Sequence, residues 1–270
     1  MPSLSPILDL MLAAAVAASE SIMDVYSRPI LATHKSDGSP VTEADHLAEA
    51  AILAHLDNTG IPVLAEESVA AGHIPDIGNR FFVVDPLDGT KEFLKRNGEF
   101  TVNIALVEDG RPTAGVVLAP ATGLTFWGDA GGAHVGVLRD GVITDQRPIR
   151  VNLQVPMRIV ASRSHGHAAL GELCRTLNVT EDVSVGSSLK FCLLARGDAQ
   201  LYPRFTPTME WDTAAGQAVL EAAGGAVVNL DGSPMRYGHA GRAFLNPFFA
   251  AAASLPLAEA AAAEMRRLLA

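Results

Sequence analysis

The stretch from Phe81 to Phe93, FFVVDPLDGTKEF, constrains what this chain can fold into more than any other. Phe81 to Val84 are apolar and β-prone with no polar relief, the pattern of a buried strand. Pro86 has no N–H to continue a ladder, so the strand is expected to stop there and Gly89-Thr90 to open a helical turn. Asp85 and Asp88 then stand at the carboxyl end of a strand, where open α/β sheets bind ligands. Two carboxylates three residues apart across a turn can converge on one point. They repel each other unless a cation lies between them, and hard oxygen donors favour Mg²⁺ or a relative. The amides of Gly89 and Thr90, at the start of a nascent helix, could receive a phosphate oxygen beside that cation.

Plainer readings of the same residues are a surface turn and a calcium loop. Asp, Pro and Gly are favoured turn residues, so DPLDG alone is compatible with the first. The second fails: with Asp85 as first ligand, Leu87, Gly89 and Arg96 fall where an EF-hand loop needs oxygen-bearing side chains. An aspartyl-nucleophile D-x-D pattern fails too, because Leu87 occupies the second Asp position.

At 270 residues the chain suits one large domain or two packed halves, and a hydrophobic content of 49% supplies ample core. A formal charge of −10 disfavours nucleic acid and anionic membrane as partners. A phosphorylated substrate would need local cations to offset that field, and a metal site provides them. Cys174 and Cys192 form no C-x-x-C pair and are too few for a disulfide framework, which fits a reducing cytoplasm. Leu10 to Ser19 resembles a signal-peptide core, but Asp9 rather than Lys or Arg precedes it and the helical pattern continues to Tyr26. No apolar run is expected to span a bilayer; Phe248 to Ala253 is followed by Pro256 and Glu259.

Along the chain, residues 3–26 read as a helix with Leu4, Ile7, Leu8, Met11, Leu12 and Val16 on one side. A loop, HKSDGSP, leads to a second helix over 41–56, where Thr42 and Asp45 make a T-x-x-D capping box. Capping is the ordinary role of such an Asp. Residues 61–68 read as a strand ending in Glu66 and Glu67, either solvated or metal-binding. Hairpins are expected around residues 108–111 and 128–132; the latter, GDAGG, lacks the Lys-Ser/Thr ending of a phosphate loop. From Met157 the pattern becomes strand, helix over 165–177, helix over 183–197 closed by Gly197, and strand over 199–204. A helix from Glu210, a hairpin over 226–235, a strand over 248–253 and a helix from Pro256 complete it. The alternation suggests an α/β half packed on an α+β half. Asp212 stands where an N-cap belongs, which is also where a carboxylate can face a metal or a substrate hydroxyl. Ser187, Ser188 and Lys190 begin another helix, Arg204 ends a strand, and Ser164-His165 follows one; each has a capping or solvated role open to it as well.

The ordered set VTEAD, LAEES, DPLDGT and WD resembles the inositol monophosphatase superfamily of Mg²⁺-dependent, lithium-sensitive phosphatases. DPLDGTKEFLKRNGEFTVNIAL, SRSH, GSSLKF, AQLYPR and WDTAAG together resemble one branch, the CysQ-type 3′(2′),5′-bisphosphate nucleotidases. The likeness runs from the first helix to FLNP at 244–247, and the helix after Pro256 looks like an addition to the pattern. The resemblance implies a layered α-β-α-β-α sandwich of the sugar phosphatase type, an α/β (α+β) fold. Residues 1–156 would carry the DPLDGT motif, and residues 157–270 Asp212 and the substrate-recognition residues.

It further implies two or three Mg²⁺ ions held by Glu66 (Glu67 ranking second to it), Asp85 as the bridge, Asp88, the Leu87 carbonyl and Asp212. Asp45 and Thr90 would orient and deprotonate the attacking water. Glu66, Leu87, Asp88, Gly89, Thr90 and Asp212 would also line the substrate phosphate, with Ser164, His165, Ser187, Lys190 and Arg204 holding the rest. Lys190, a cation beside two hydroxyls at a helix start, would pair with the phosphate that is not cleaved or otherwise hold the nucleotide. The implied activity is hydrolysis of adenosine 3′,5′-bisphosphate to AMP and phosphate by metal-activated water, with an inositol-phosphate or fructose-bisphosphate phosphatase as the alternative. A non-catalytic Mg²⁺ or phosphate binder would not need the intact Asp45–Thr90 pair. The implied setting is cytoplasmic, with a small phosphorylated partner, no nucleic acid and no transmembrane segment. Monomer or homodimer, and a peripheral inner-membrane association, stay open.

Overall fold

The computed structural model describes residues 5–35, 38–161 and 169–270. Helix α1 (Pro6–Tyr26) starts with proline in its first turn and buries Leu8, Met11, Leu12, Ala15, Ala18, Ile22 and Val25 along one stripe. Strands β1 (Ala32–His34) and β2 (Pro40–Thr42) pair antiparallel and lead into α2 (Glu43–Leu56). The capping box forms: Thr42 Oγ1 accepts from the Ala44 amide at 3.2 Å, and Asp45 Oδ2 accepts from the Thr42 amide at 2.7 Å. One expectation is corrected here. With a mean hydropathy of 1.5 over its most apolar window, the 21-residue α1 is long and apolar enough to cross a bilayer. In the fold its apolar stripe lies in one core with α2 and the first sheet.

That sheet has seven strands in chain order: β3 (Val63–Ala65), β4 (Arg80–Asp88), β5 (Thr101–Glu108), β6 (Arg111–Ala119), β7 (Leu124–Asp129), β8 (Gly132–Arg139) and β9 (Val142–Ile149). β3 and β4 run parallel and the other neighbours antiparallel, the expected meander. Both expected hairpins form, and a further one, turning at Asp140-Gly141 (φ 50° and 76°), adds β9. Its sequence, VITDQRPI, is mostly exposed and lacks the apolar alternation that would have marked it as a strand.

β4 does not end at Pro86. Pairing is interrupted after Asp85, opposite Asn103, and resumes at Asp88, opposite Thr101. Proline removes one ladder donor, and the Leu87 amide turns to Asp85 Oδ1 at 3.0 Å, so the strand bulges instead of stopping. The period of two sends Phe82 and Val84 to the α1/α2 side, and Phe81 and Val83 to the other. β3 is shorter than expected, and Glu66 opens the short helix α3 (Glu66–Ala70). After Gly89 comes the one-turn α4 (Thr90–Leu94).

A second, five-stranded sheet holds β10 (Met157–Ala161), β11 (Val179–Ser184), β12 (Leu201–Arg204), β13 (Ala226–Asn229) and β14 (Phe249–Ala252), in the order β11-β10-β12-β14-β13. β11 is a second correction, since Val183 and Ser184 were read as helical. They pair in parallel with Val160 and Ala161, a partner more than twenty residues upstream that local pattern could not reveal. α5 (Leu170–Thr176) precedes β11, and α6 (Leu189–Arg196) ends at Gly197 with φ 84° as expected. A 3₁₀ turn (Glu210–Asp212) precedes α7 (Ala214–Ala222), and β13 pairs along its length with β14, its expected local hairpin reduced to one bridge between Val228 and Pro234.

α6 and α7 pack between the two sheets, sharing a core with Phe81, Val83, Val117 and Phe126 on one side and Tyr202, Val227 and Phe249 on the other. The outer face of the second sheet is covered by α5 and by α8 (Leu255–Leu269), through Leu173, Ala258, Ala261, Ala262 and Met265. The result is the expected layered α-β-α-β-α sandwich. α8 is a structural layer of it rather than an addition. Between β9 and β10 the chain passes from one sheet to the other.

Candidate metal and phosphate site

The β4 bulge presents Asp85, Leu87 and Asp88; α3 brings Glu66, α2 brings Asp45, the 3₁₀ turn brings Asp212, and α6 brings Ser188 and Lys190. Elements from both sheets therefore meet at one point. Burial pushes the Asp85 carboxyl well up, and the charges of Glu66, Asp88 and Asp212 add to it. Asp212 is pushed up to about 8 by burial and then by Asp88 and Glu66. Burial raises Glu66 to about 7 against the pull of Lys35. Asp88 is raised by burial too, opposed first by Lys190 and then by its Ser188 hydrogen bonds. Four carboxylates thus share one field, and each holds its proton harder because of the others or of burial.

Asp88 Oδ2 accepts from the Ser188 amide at 2.7 Å and lies 3.1 Å from the Ser188 hydroxyl. That hydroxyl also stands 2.7 Å from the Asp212 carbonyl oxygen and accepts from Asn103 Nδ2 at 2.9 Å. Ser188 is therefore the joint between the two halves at the site, a role sequence reasoning gave to neither it nor Asn103. Its Ser-Ser context read as an ordinary cap. Asp212 itself is not the N-cap of α7, which is Thr213; its Oδ2 accepts from the Met209 amide at 2.9 Å and closes the 3₁₀ turn.

Thr90 Oγ1 donates to Asp45 Oδ1 at 3.1 Å while Asp45 Oδ2 is held by Thr42. The capping role and the pairing with Thr90 are thus carried by different oxygens of one carboxylate. Gly89 adopts φ 97°, and a Cβ there would lie 3.1 Å from the Glu99 carbonyl oxygen. Of the adjacent glutamates, Glu66 is the one whose charge reaches Asp85 and Asp212. Glu67 is buried, and its amide donates to Glu49 Oε2 at 2.8 Å. Lys35 Nζ bridges the pair, 2.6 Å from Glu66 Oε1 and 2.6 Å from Glu67 Oε1. Nothing in a polar loop singles out such a lysine in advance.

A cleft of about 530 Å³ opens beside these groups, with Asp88, Gly89, Ser187, Lys190, Arg204 and Asp212 on its walls. Lys190 is buried; its ammonium donates to the Ser187 carbonyl at 2.8 Å and lies 5.8 Å from the Tyr202 ring centre. Burial pulls it down to about 8 against the attraction of Asp88. Arg204 donates to the Thr206 and Pro207 carbonyls at 3.1 and 3.2 Å. Ser187 has φ 48°, and its buried hydroxyl has no partner among the described residues. Ser164 and His165 lie outside the described residues.

Among the described residues, no three His, Cys, Asp or Glu side chains stand together as a finished metal cage. Glu66 is turned to Lys35, Asp88 to Ser188 and Asp212 to the Met209 amide. The donor set still fits a hard divalent cation: it is all oxygen, and a cation would relieve the mutual repulsion that raises these carboxyls.

Two sheets interleaved with three helical layers, and an acidic cluster at a strand end beside a cation-lined cleft, define a phosphatase-type enzyme. The chain belongs to the inositol monophosphatase family, whose profile matches residues 3–269 and so includes α8. Membership carries with it a metal-dependent mechanism. The chain is 46% identical over 239 residues to the 3′(2′),5′-bisphosphate nucleotidase CysQ of Escherichia coli K12, covering 86% of this chain and 94% of that one. It is 38% identical to the protein of the same name from Buchnera aphidicola over 88% of this chain and 90% of that one. Among solved structures, CysQ from Bacteroides thetaiotaomicron superposes with a TM-score of 0.77 at 38% identity, covering 91% of this chain and 96% of that one. An inositol monophosphatase from Anabaena superposes with a TM-score of 0.73 at 25% identity, covering 97% and 95%.

Proposed function

We propose that this chain is a Mg²⁺-dependent 3′(2′),5′-bisphosphate nucleotidase whose principal substrate is adenosine 3′,5′-bisphosphate, which it converts to AMP and inorganic phosphate. The observation that carries the chemistry is the Thr90–Asp45 hydrogen bond set beside the buried carboxylate cluster. The choice of a nucleotide rests on the 46% identity to the Escherichia coli nucleotidase along 94% of its length.

Glu66, Asp85, Asp88, Asp212 and the Leu87 carbonyl are the oxygens that would hold two or three Mg²⁺ ions. When bound, the ions supply charge neutralisation for the phosphoryl group and its leaving oxygen. Thr90 and Asp45 handle the proton. The Thr90 hydroxyl, already donating to Asp45, can accept a hydrogen bond from the attacking water and pass a proton to Asp45 Oδ1 as the new P–O bond forms. The ester P–O bond breaks, the phosphoryl group passes to the water oxygen, and the ribose oxygen takes a proton from solvent water, which is made good when Asp45 gives up the proton it gained. Gly89 lets the chain turn at the phosphate without a side chain in the way. Lys190 and Arg204, on the cleft wall, are the cations available to the rest of an anionic nucleotide.

Phosphate release from adenosine 3′,5′-bisphosphate, inositol 1-phosphate and fructose 1,6-bisphosphate, each with Mg²⁺ and with EDTA, tests the reading. The adenosine bisphosphate is expected to give the highest kcat/KM, and EDTA to abolish release. A preference for either sugar phosphate would overturn the substrate, and turnover that survives EDTA would overturn the metal.

A further inference from the structure

The Lys35 ammonium is placed between two adjacent carboxylates that differ in exposure. It stands 2.6 Å from Glu66 Oε1 and 2.6 Å from Glu67 Oε1, with its side chain only 12% exposed. Glu66 is 26% exposed, whereas Glu67 is 5% exposed, with its backbone amide donating to Glu49, which also accepts from the Ser68 hydroxyl at 2.6 Å. Glu66 is thus the more open of the two carboxylates and Glu67 the more enclosed. An ammonium with three donors can be shared between two such groups, or rest on one alone, with little movement. We propose that Lys35 is an internal counter-cation that competes with the divalent ion for Glu66, and that Glu67 is the carboxylate onto which it withdraws when the ion is taken up.

The inference rests on the metal reading of Glu66 given above. Without a metal, Glu66 would be a charge in a cluster of like charges, and leaving one partner of a buried pair unmatched is costly. Lys35 removes that cost within the chain itself. A dication is a stronger partner for hard oxygens than an ammonium, so it displaces Lys35 from Glu66, and the presence of Glu67 keeps the displaced charge from being stranded. The lysine is also connected to the catalytic pair. Its amide donates to the Ser39 carbonyl at 2.8 Å, in the β1–β2 hairpin whose last residue, Thr42, is bonded to Asp45. The hairpin that releases Lys35 is thus continuous with the residues that handle the water proton. Lys35 thereby sets how much metal is needed to occupy Glu66.

Mg²⁺ titration calorimetry and melting curves in EDTA test this on the full chain. Lys35→Met is expected to bind Mg²⁺ roughly tenfold tighter than the parent and to melt lower in EDTA, whereas Lys35→Arg stays parent-like. Removing any nearby cation strengthens metal binding somewhat, so Lys91→Met, at the cleft but away from Glu66, is the control and is expected to shift affinity by less than about threefold. Lys35→Met with unchanged or weaker Mg²⁺ affinity, or no tighter than the Lys91 control, overturns the competition. Glu67→Gln is expected to weaken Mg²⁺ in the parent and to have little effect in the Lys35→Met background, because it acts through Lys35. Equal effects in both backgrounds overturn the role given to Glu67. A parent that binds Mg²⁺ while these outcomes fail leaves the proposed function standing; a parent that binds none overturns both.

Discussion

Asp45 shows how one side chain can satisfy two readings at once. Its Oδ2 caps α2 through Thr42, and its Oδ1 accepts from Thr90. Asp45→Asn should therefore lose about 1 kcal/mol of stability through the cap and lower kcat by roughly 10²–10⁴ through the lost proton acceptor. Thr90→Ala should lose a similar factor in kcat with little change in stability, and the double variant should cost little more than either, since the pair acts as one unit. Denaturation curves beside steady-state kinetics check this; an active Asp45→Asn would leave only the cap. Lys190 is altered more by the structure. As a residue near a helix start it reads as a free cation for a substrate phosphate. Buried against Tyr202 and bonded to the Ser187 carbonyl, it is also the charge that opposes the raised proton affinity of Asp88.

The elements owe their placing of the site to the β4 bulge and to Gly89 just beyond it. Pro86 breaks one ladder position, Asp85 captures the Leu87 amide, and the strand recovers only at Asp88, which presents both carboxylates and the Leu87 carbonyl at one end. Gly89 then makes the left-handed turn into α4 with φ 97°. Gly89→Ala should destabilise by about 1–2 kcal/mol, the usual cost of a side chain in that region. Its Cβ would also press on the Glu99 carbonyl 3.1 Å away, so Thr90 should shift from Asp45. The expected outcome is a folded protein with a lowered melting temperature and a kcat loss larger than the stability loss explains. Parent-like kcat would show that the turn relaxes without moving Thr90.

At the scale of the whole molecule, the two sheets are locked together around mutually repelling carboxylates, and this makes stability depend on pH and metal. Burial and like charges raise Glu66 to about 7 and Asp212 to about 8, against about 4 for free carboxyls. The folded state therefore holds protons that the unfolded state releases. Stability from these groups is full below pH of about 4 and is lost as pH rises through roughly 7–8. Bound Mg²⁺ replaces those protons. The difference in melting temperature between Mg²⁺-loaded and EDTA-treated protein should accordingly widen as pH rises from about 5 to about 8. A difference that stays constant over that range would mean that the carboxylates are not coupled to the metal.

Much of this was legible in the sequence because the signals are local. Asp-Gly turns, the Thr42–Asp45 box, Gly197 and the Gly89 turn into α4 work within a few residues of themselves, and their geometry follows from backbone preference. The choice of Glu66 over Glu67 and the layered sandwich came from resemblance; in the folded chain the Glu66 charge adds to the raised proton affinity of Asp85 and Asp212. β9, β11 and the covering role of α8 were not legible, because strand pairing and face burial depend on partners distant in the chain. Lys35 and Ser188 were missed for the same reason: each matters through carboxylates 31 and 100 residues away. The sequence determined by itself which oxygens could serve a cation and where the chain must turn. Only the tertiary structure decided which of them share one field, because Coulomb energy depends on distance in space and on burial, and neither is a property of a segment.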